Sequence, residues 1–415
     1  MNISFNPLVR VRTVTAFVNL SADEAQWQAG LTQAKQQCDA VADAIEARGY
    51  QVQSIRIVSN PFGEYLDVSS ADSALAGLQR IAETLKAINT GKRRIRFAVG
   101  EARNAQEVAL LPQLIAAYGD LCNACVNIDL DEHGFLQTGL LASSVQAIQQ
   151  IACTTPRGEG NFNFTVNFNC APGIPYFPAS YHRGQYHGAL VLGLETPDLM
   201  VAELQALQQQ RLQQQRLQLD HAAWFRLAFE RLSQALNEHA TAIQRCADGV
   251  KLAEGWHIAG MDTSAAPSKS CASMVDVYQL LGVPYFGASG TVEASALLTR
   301  VFKSVNGVTQ IGFSGLMLAV TEDQGLAQAS LNDEFDIRAL LTYSSVCGIG
   351  LDTVPVPGDS SAEQIAAVMR DTGTMAFRLN KPLTVRLFPV PGLKAGDTTA
   401  FESADLCNCA VLALP

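Results

Sequence analysis

The chain has 415 residues and a formal net charge of −10, with 48% hydrophobic and 16% charged residues. That is enough apolar material for two or three domains or one large barrel. An acidic chain whose nearest basic run is Lys92-Arg93-Arg94 with Arg96 argues against nucleic acid or an anionic membrane as the main partner, and that run reads as a solvated strand start.

Val9–Leu20 is β-branched and alternating, a strand, and Ser21 then caps a helix that Gly49 stops. Gln51–Val58 returns as strand and ends in the turn Asn60-Pro61-Phe62-Gly63. Helical periodicity runs from Ser70 to Ile88, followed by strand at Arg94–Val99, helix at Ala105–Tyr118 and strand at Cys122–Leu130. Strand–helix alternation of this kind predicts parallel strands joined by crossover helices. Asn161–Asn169 alternates amides with apolar residues, so in a strand Asn161, Asn163, Asn167 and Asn169 would share one face. That face is either a solvated edge or the polar wall of a pocket. A proline-rich stretch, Cys170–Pro178, leads to His182.

Residues 197–252 read as a helical insertion, with a glutamine-rich segment at Leu207–Leu219. The α/β rhythm resumes with strand at Trp256–Met261 and helices at Cys271–Leu281 and Thr291–Val305. Glu322-Asp323 starts a short helix, Asp336–Tyr343 forms another, and Ser360 with Glu363 suggests a capping box. Thr384–Phe388 and Asn408–Leu414 close as strands, and residues 1–415 are expected to form one domain. No stretch is apolar for long enough to cross a bilayer, and Met1–Pro7 lacks the pattern of an export signal, so the expected location is cytoplasmic. The ten cysteines are scattered, so reduced core thiols are expected, with Cys122-Asn-Ala-Cys125 and Cys407-Asn-Cys409 as weak redox or metal signals.

The most informative run is Val346–Asp359. Cys347 and Asp352 lie five apart in an apolar, glycine-punctuated stretch, and a two-proline turn delivers Asp359. A buried, unpaired carboxylate costs several kcal/mol, roughly 2–7 or more. Asp352 therefore needs a donor, a metal or a solvent-filled cleft. Asp262, Glu322 and Asp323 stand at comparable strand ends or helix starts, where sites of parallel α/β folds gather.

Several segments together resemble the family called domain of unknown function 711, which overlaps uncharacterised protein family 0210. They are Arg12-Thr-Val-Thr15, Gly260-Met-Asp262-Thr-Ser264, Gly287-Ala-Ser-Gly290-Thr291, Phe313-Ser314-Gly315, Val320–Gly325, Cys347–Asp352 with Pro357-Gly-Asp359, and Val385-Arg386 through Gly392. The resemblance implies a large α/β barrel of mostly parallel strands similar to the ten-stranded barrel of pyruvate formate-lyase, in a homodimer. Those radical enzymes keep a glycine in an Arg-Val-x-Gly-Tyr-type loop. Val385-Arg386-Leu387-Phe388-Pro389 has none, so glycyl-radical chemistry is not supported.

The expected function is an enzyme acting on a small polar metabolite in a barrel cavity, or alternatively a non-catalytic small-molecule binding or sensing protein. Asp352, Cys347, Asp262 and His182 are the candidate catalytic residues; Asn167, Asn169, Ser314 and Thr291 are candidates for substrate binding. Asp352, Asp359 and Glu322 could hold a divalent cation such as Mg, Mn or Ca. Thr291 enters because the Gly287–Gly290 loop before a helix could present free N–H groups to an anion.

Overall fold

The structure, a computed structural model, describes residues 5–91, 93–213 and 220–415. The last residues of the glutamine-rich segment and Lys92 lie outside them.

The described residues form a nine-stranded sheet: β1 (Arg10–Val18), β2 (Ser54–Ser59), β3 (Arg94–Glu101), β4 (Asn123–Ile128), β5 (Phe164–Phe168), β6 (Ala189–Glu195), β7 (His257–Asp262), β8 (Gly350–Pro357) and β9 (Leu383–Val390). Their order across the sheet is β7-β6-β1-β2-β3-β4-β5-β9-β8. β1 to β5 run parallel. β6 and β9 pair antiparallel to the two ends of that block, and each carries a parallel outer strand.

Helices α1 (Trp27–Glu46), α2 (Ala71–Ile88), α3 (Ala105–Tyr118) and α4 (Thr138–Thr154) alternate with the central strands. The remainder are α5 (Pro197–Gln213), α6 (His221–Asp248), α7 (Met274–Leu281), α8 (Thr291–Lys303), α9 (Gln324–Leu331), α10 (Ile337–Ser344) and α11 (Ala362–Arg378). One face of the sheet buries Val14, Ile55, Ile57, Phe97 and Val126 in a single apolar cluster with Leu31, Leu78 and Leu111 of the helices. Burial beneath helices is why these strands carry apolar residues so densely.

The other face is covered by irregular chain. Phe177 packs on Phe17, Val58 and Ala98, while Ile174 and Tyr176 pack with Phe313 and Met317. Thr15 Oγ1 on β1 donates to the carbonyl of Pro175 at 2.9 Å. Residues around 170–181 and 310–320 thus form a second layer on the face opposite the helices.

The sheet is open: β7 and β8 do not pair. The segment after α8 touches both edges through single bridges, Gln310 to Met261 of β7 and Ala319 to Asp352 of β8.

Several expected elements differ from those formed. The amide row does not exist as one strand face, because Asn161 and Asn163 lie in a 3-10 turn and only Phe164–Phe168 is strand. Ser21 caps nothing regular; Asp23 caps a short 3-10 turn ahead of α1. The capping box of α11 is Ser361 with Gln364, one residue beyond the expected pair. Asn408–Leu414 makes an isolated bridge rather than a strand. Arg93 and Arg96 are not a solvated strand start: Arg93 pairs with Asp39, Asp43 and Glu46, and Arg96 is 6% exposed.

Candidate functional site

Four strands carry an arginine within the sheet: Arg12 on β1, Arg56 on β2, Arg96 on β3 and Arg386 on β9. Arg56 and Arg96 are direct cross-strand neighbours. A guanidinium stays charged at any ordinary pH, so each buried one needs an anionic or aromatic partner. Three have carboxylates. Arg386 Nε donates to Asp352 Oδ1 at 2.6 Å, its Nη2 to Glu322, and its Nη1 to the Phe162 carbonyl at 3.2 Å. Arg12 lies 3.1 Å from Glu195 Oε2 and 3.6 Å from Glu322 Oε2. Arg96 Nη2 donates to Asp120 at 2.9 Å.

Arg56 is the exception. It is 5% exposed and makes no side-chain hydrogen bond or ion pair among the described residues, and its Nε is buried without a partner. Its guanidinium lies 5.1 Å from the centroid of the Phe177 ring, a cation–π contact. Burial first, then the neighbouring Arg96 and Arg12 charges, pull its pKa well below the usual arginine value.

Arg56 lines a cavity of about 50 Å³ together with Arg12, Arg386, Glu322 and Asp352. Its lining also includes Ala179, Phe313, Met317, Ala319 and Ile349. A larger hollow of about 860 Å³ lies elsewhere, an open apolar groove between α4 and α11 lined by Leu141, Val145, Ala366 and Phe377. Size does not decide between them. Converging, desolvated ionisable groups mark the smaller one.

Asp352 reaches this position through an irregularity in β8. The β8–β9 register slips between Leu351 and Val354, and Thr353 has φ 50°, a strained conformation for a β-branched residue. The slip lets Asp352 face Arg386 while its own carbonyl accepts from Val320 N at 3.1 Å. Burial raises the Asp352 carboxyl; Arg386 pulls it down and Glu322 pushes it up. Gly350, at φ 96°, is required here because a Cβ would sit 2.5 Å from the Thr384 carbonyl oxygen. The expected donor for Asp352 therefore exists, and it is Arg386.

Asp262 has a different role. It is fully buried and accepts from Ser264 N at 3.0 Å, Ser264 Oγ at 2.6 Å, Phe313 N at 2.8 Å and Ser314 N at 3.0 Å. Burial pushes it up to about 6, against the pull of these hydrogen bonds. It fastens residues 312–315 to β7 and is not among the residues lining the cavity. Gly312 at φ 70° accommodates it, since a Cβ there would lie 2.3 Å from Asp262 Oδ2. Asp262 and Asp352 thus stand on the two edge strands of the sheet.

Cys347 is 1% exposed and belongs to the main apolar cluster. Its backbone carbonyl, not its thiol, is engaged, by Lys381 Nζ. Asp359 is exposed in the turn that follows β8, and the five residues from Asp352 to the end of the strand alone span roughly 16 Å at strand spacing. Asp352, Glu322 and Asp359 are therefore not assembled. Among the described residues no three His, Cys, Asp or Glu side chains stand close enough to share a metal ion. The ten cysteines are all free.

Ser314, at φ 41°, donates to the Ile311 carbonyl and braces the same loop as Asp262. Thr291 Oγ1 donates to the Ala288 carbonyl at 2.7 Å and accepts from Gly287 N, closing the loop before α8 upon itself. Asn167 donates to Asn127 Oδ1 and to the Ala179 carbonyl, each at 3.1 Å, and so anchors the irregular layer behind the cavity. Asn169 donates to Asn380 Oδ1 at 3.3 Å, outside it.

His182 is fully buried, with Nε2 3.1 Å from the Val18 carbonyl and Nδ1 accepting from Gly184 N at 3.3 Å. Burial lowers it to about 4. The folded state then binds fewer protons than the unfolded chain between about pH 6.5 and pH 4, so stability is lost as pH falls through that window. The expected loss is roughly 3 kcal/mol at one pKa unit per 1.36 kcal/mol. Urea unfolding of the wild type and of His182→Gln at about pH 7 and about pH 4 checks it: the variant should lack this share of the acid sensitivity.

The sequence reading missed Arg56 and left Arg12, Arg96 and Arg386 without a role in a site. Their signal is a guanidinium flanked by apolar or β-branched residues inside a strand, as in Ile55-Arg56-Ile57, Ile95-Arg96-Phe97 and Val385-Arg386-Leu387.

Residues 5–402 match the family described as Uncharacterised ACR (DUF711). The chain belongs to the DUF711 family. Curated relatives carry the name UPF0210 protein. That of Pyrobaculum arsenaticum is 31% identical over 265 residues, covering 63% of this chain and 56% of the relative. The Oleidesulfovibrio alaskensis protein is 26% identical over 314 residues, 74% of this chain and 66% of its own length. One from Neisseria meningitidis serogroup C is 23% identical over 367 residues, 85% of this chain and 77% of the relative. The aligned part spans about half to two thirds of the first two relatives. No helix of this DUF711 chain is long and apolar enough to cross a membrane among the described residues.

Proposed function

We propose that this DUF711 protein recognises a small molecule in the cavity between the sheet and the irregular layer. The observation that carries the reading is that ionisable groups from five chain segments, Arg12, Arg56, Glu322, Asp352 and Arg386, converge on one void. Positive φ at Ala266, Ser314 and Thr353, beside or within the segments that form the cavity, supports it. Strained backbone of this kind persists where the surrounding structure holds it for a purpose.

In the same reading residues 310–320 complete a barrel-like wall between β7 and β8, similar to the pyruvate formate-lyase barrel. Catalysis is a second reading, favoured by the raised carboxyl of Asp352 on the cavity wall, a group suited to proton transfer. A divalent cation would have to displace Arg386 from Asp352 and Glu322, so the charge work falls to guanidiniums.

Ligand-observed NMR with a mixture of cationic, neutral and anionic metabolites tests the proposal. The wild type should bind at least one compound, and a filled cavity, in Ala319→Leu, should lose it while the melting transition is kept. Consumption of the bound compound would mark catalysis. Absence of binding to every class, or unchanged binding by Ala319→Leu, overturns the proposal.

A further inference from the structure

We infer that the cavity takes a short monocarboxylate, anchored by the guanidinium of Arg56. The inference rests on the small-molecule reading above and names the ligand class. Two facts of the site carry it: one buried guanidinium without an acceptor, and a small void lined by both charged and apolar side chains.

Charge comes first. The cavity is lined by three guanidiniums, Arg12, Arg56 and Arg386, and by two carboxylates, Glu322 and Asp352. Arg386 engages both carboxylates, and Arg12 shares Glu322 while also holding Glu195. Arg56 is left with an aromatic face and no acceptor. One negative charge beside Arg56 balances the lining. A doubly charged ligand would also face Glu322 and Asp352, whose like charge repels it.

Shape comes second. A guanidinium offers a planar fork that a carboxylate meets with two parallel hydrogen bonds. A cavity of about 50 Å³ holds about three to five water-sized groups, at about 10–15 Å³ each. Two of those are carboxylate oxygens and the rest are carbon. Beside the charged groups and Thr165, Tyr176 and Thr384, the lining has the apolar side chains of Phe313, Met317, Ala319 and Ile349, which suit a methyl or ethyl group. Phosphate and sulfate would turn unpaired oxygens toward those side chains, which is unfavourable.

Calorimetric titration at fixed ionic strength tests the inference with formate, acetate, propanoate, butanoate, phosphate, sulfate and the neutral isostere propanamide. Acetate and propanoate should bind at least tenfold tighter than propanamide, phosphate or sulfate, and butanoate should fall off for lack of room. Arg56→Met should weaken acetate and propanoate at least tenfold. Arg56→Lys, which keeps the charge and loses the fork, should lie between. Propanamide or phosphate binding as tightly as propanoate, or undiminished binding by both Arg56 variants, overturns the monocarboxylate. If a neutral or cationic metabolite binds and Ala319→Leu blocks it, the cavity reading survives while the carboxylate fails. If no compound of any class binds, both fail.

Discussion

Arg386→Met should destabilise the protein by about 3–5 kcal/mol, the cost of breaking a buried ion pair by removing one partner. Arg386 is 4% exposed and holds Asp352 through Nε and Glu322 through Nη2. Methionine has similar length and none of the charge, so both acids would keep their burial and lose their main counter-charge; Glu322 would retain only Arg12 at 3.6 Å. The penalty is electrostatic and should therefore shrink as the pH falls and Asp352, whose carboxyl burial already raises, takes up a proton. Urea unfolding at two pH values reads both effects. A loss that is small, or the same at both pH values, would mean that Arg386 acts mainly through packing on Phe162, whose ring centroid lies 5.0 Å from its guanidinium carbon.

Arg56→Met should have the opposite sign. Without ligand it should leave stability unchanged or raise it by about 1–4 kcal/mol, the range seen when buried charges give way to apolar side chains. Both residues are strand arginines of similar burial, and only their partners differ. The methionine would keep contact with the Phe177 ring and remove a charge with no matching acid. A site that binds an anion carries such a cost in its empty state, and removing the charge exchanges function for stability. Parallel urea melts of the wild type and the two variants decide this. A loss of several kcal/mol in Arg56→Met would show that Arg56 braces the fold as Arg386 does.

The alternation of strands and helices was legible through Leu130 because parallel strands buried beneath helices read as short apolar runs between amphipathic ones. It faded where local signals do. Ala189–Glu195 is strand β6, yet its short apolar run Ala189–Leu194 fits a buried helix turn equally well. The antiparallel pairings β1–β6 and β5–β9 join strands far apart in sequence, and no local pattern reports them. In the site, the need for an Asp352 partner followed from burial alone, but the partner, Arg386, lies 34 residues on. Cys347 stands out in the sequence as a thiol beside glycines. Those glycines serve backbone crowding instead, since a Cβ on Gly348 would meet Gly315 Cα at 2.9 Å. The carboxylates suggest metal ligands, whereas the arginines inside β1, β2, β3 and β9 are the stronger clue. A charged residue within an otherwise apolar strand marks a polar patch on the sheet face opposite the helices, beside the apolar Phe17, Val58 and Ala98.

Melting curves of the wild type and Arg56→Met with rising propanoate at constant ionic strength test the central claim most directly. The wild type should be stabilised progressively, by about 2.7 kcal/mol at a hundredfold excess over Kd, while Arg56→Met starts equal or higher and stays flat. Parallel responses of the two proteins, or none in the wild type, would contradict the claim that the unpaired guanidinium of Arg56 makes this cavity a ligand site.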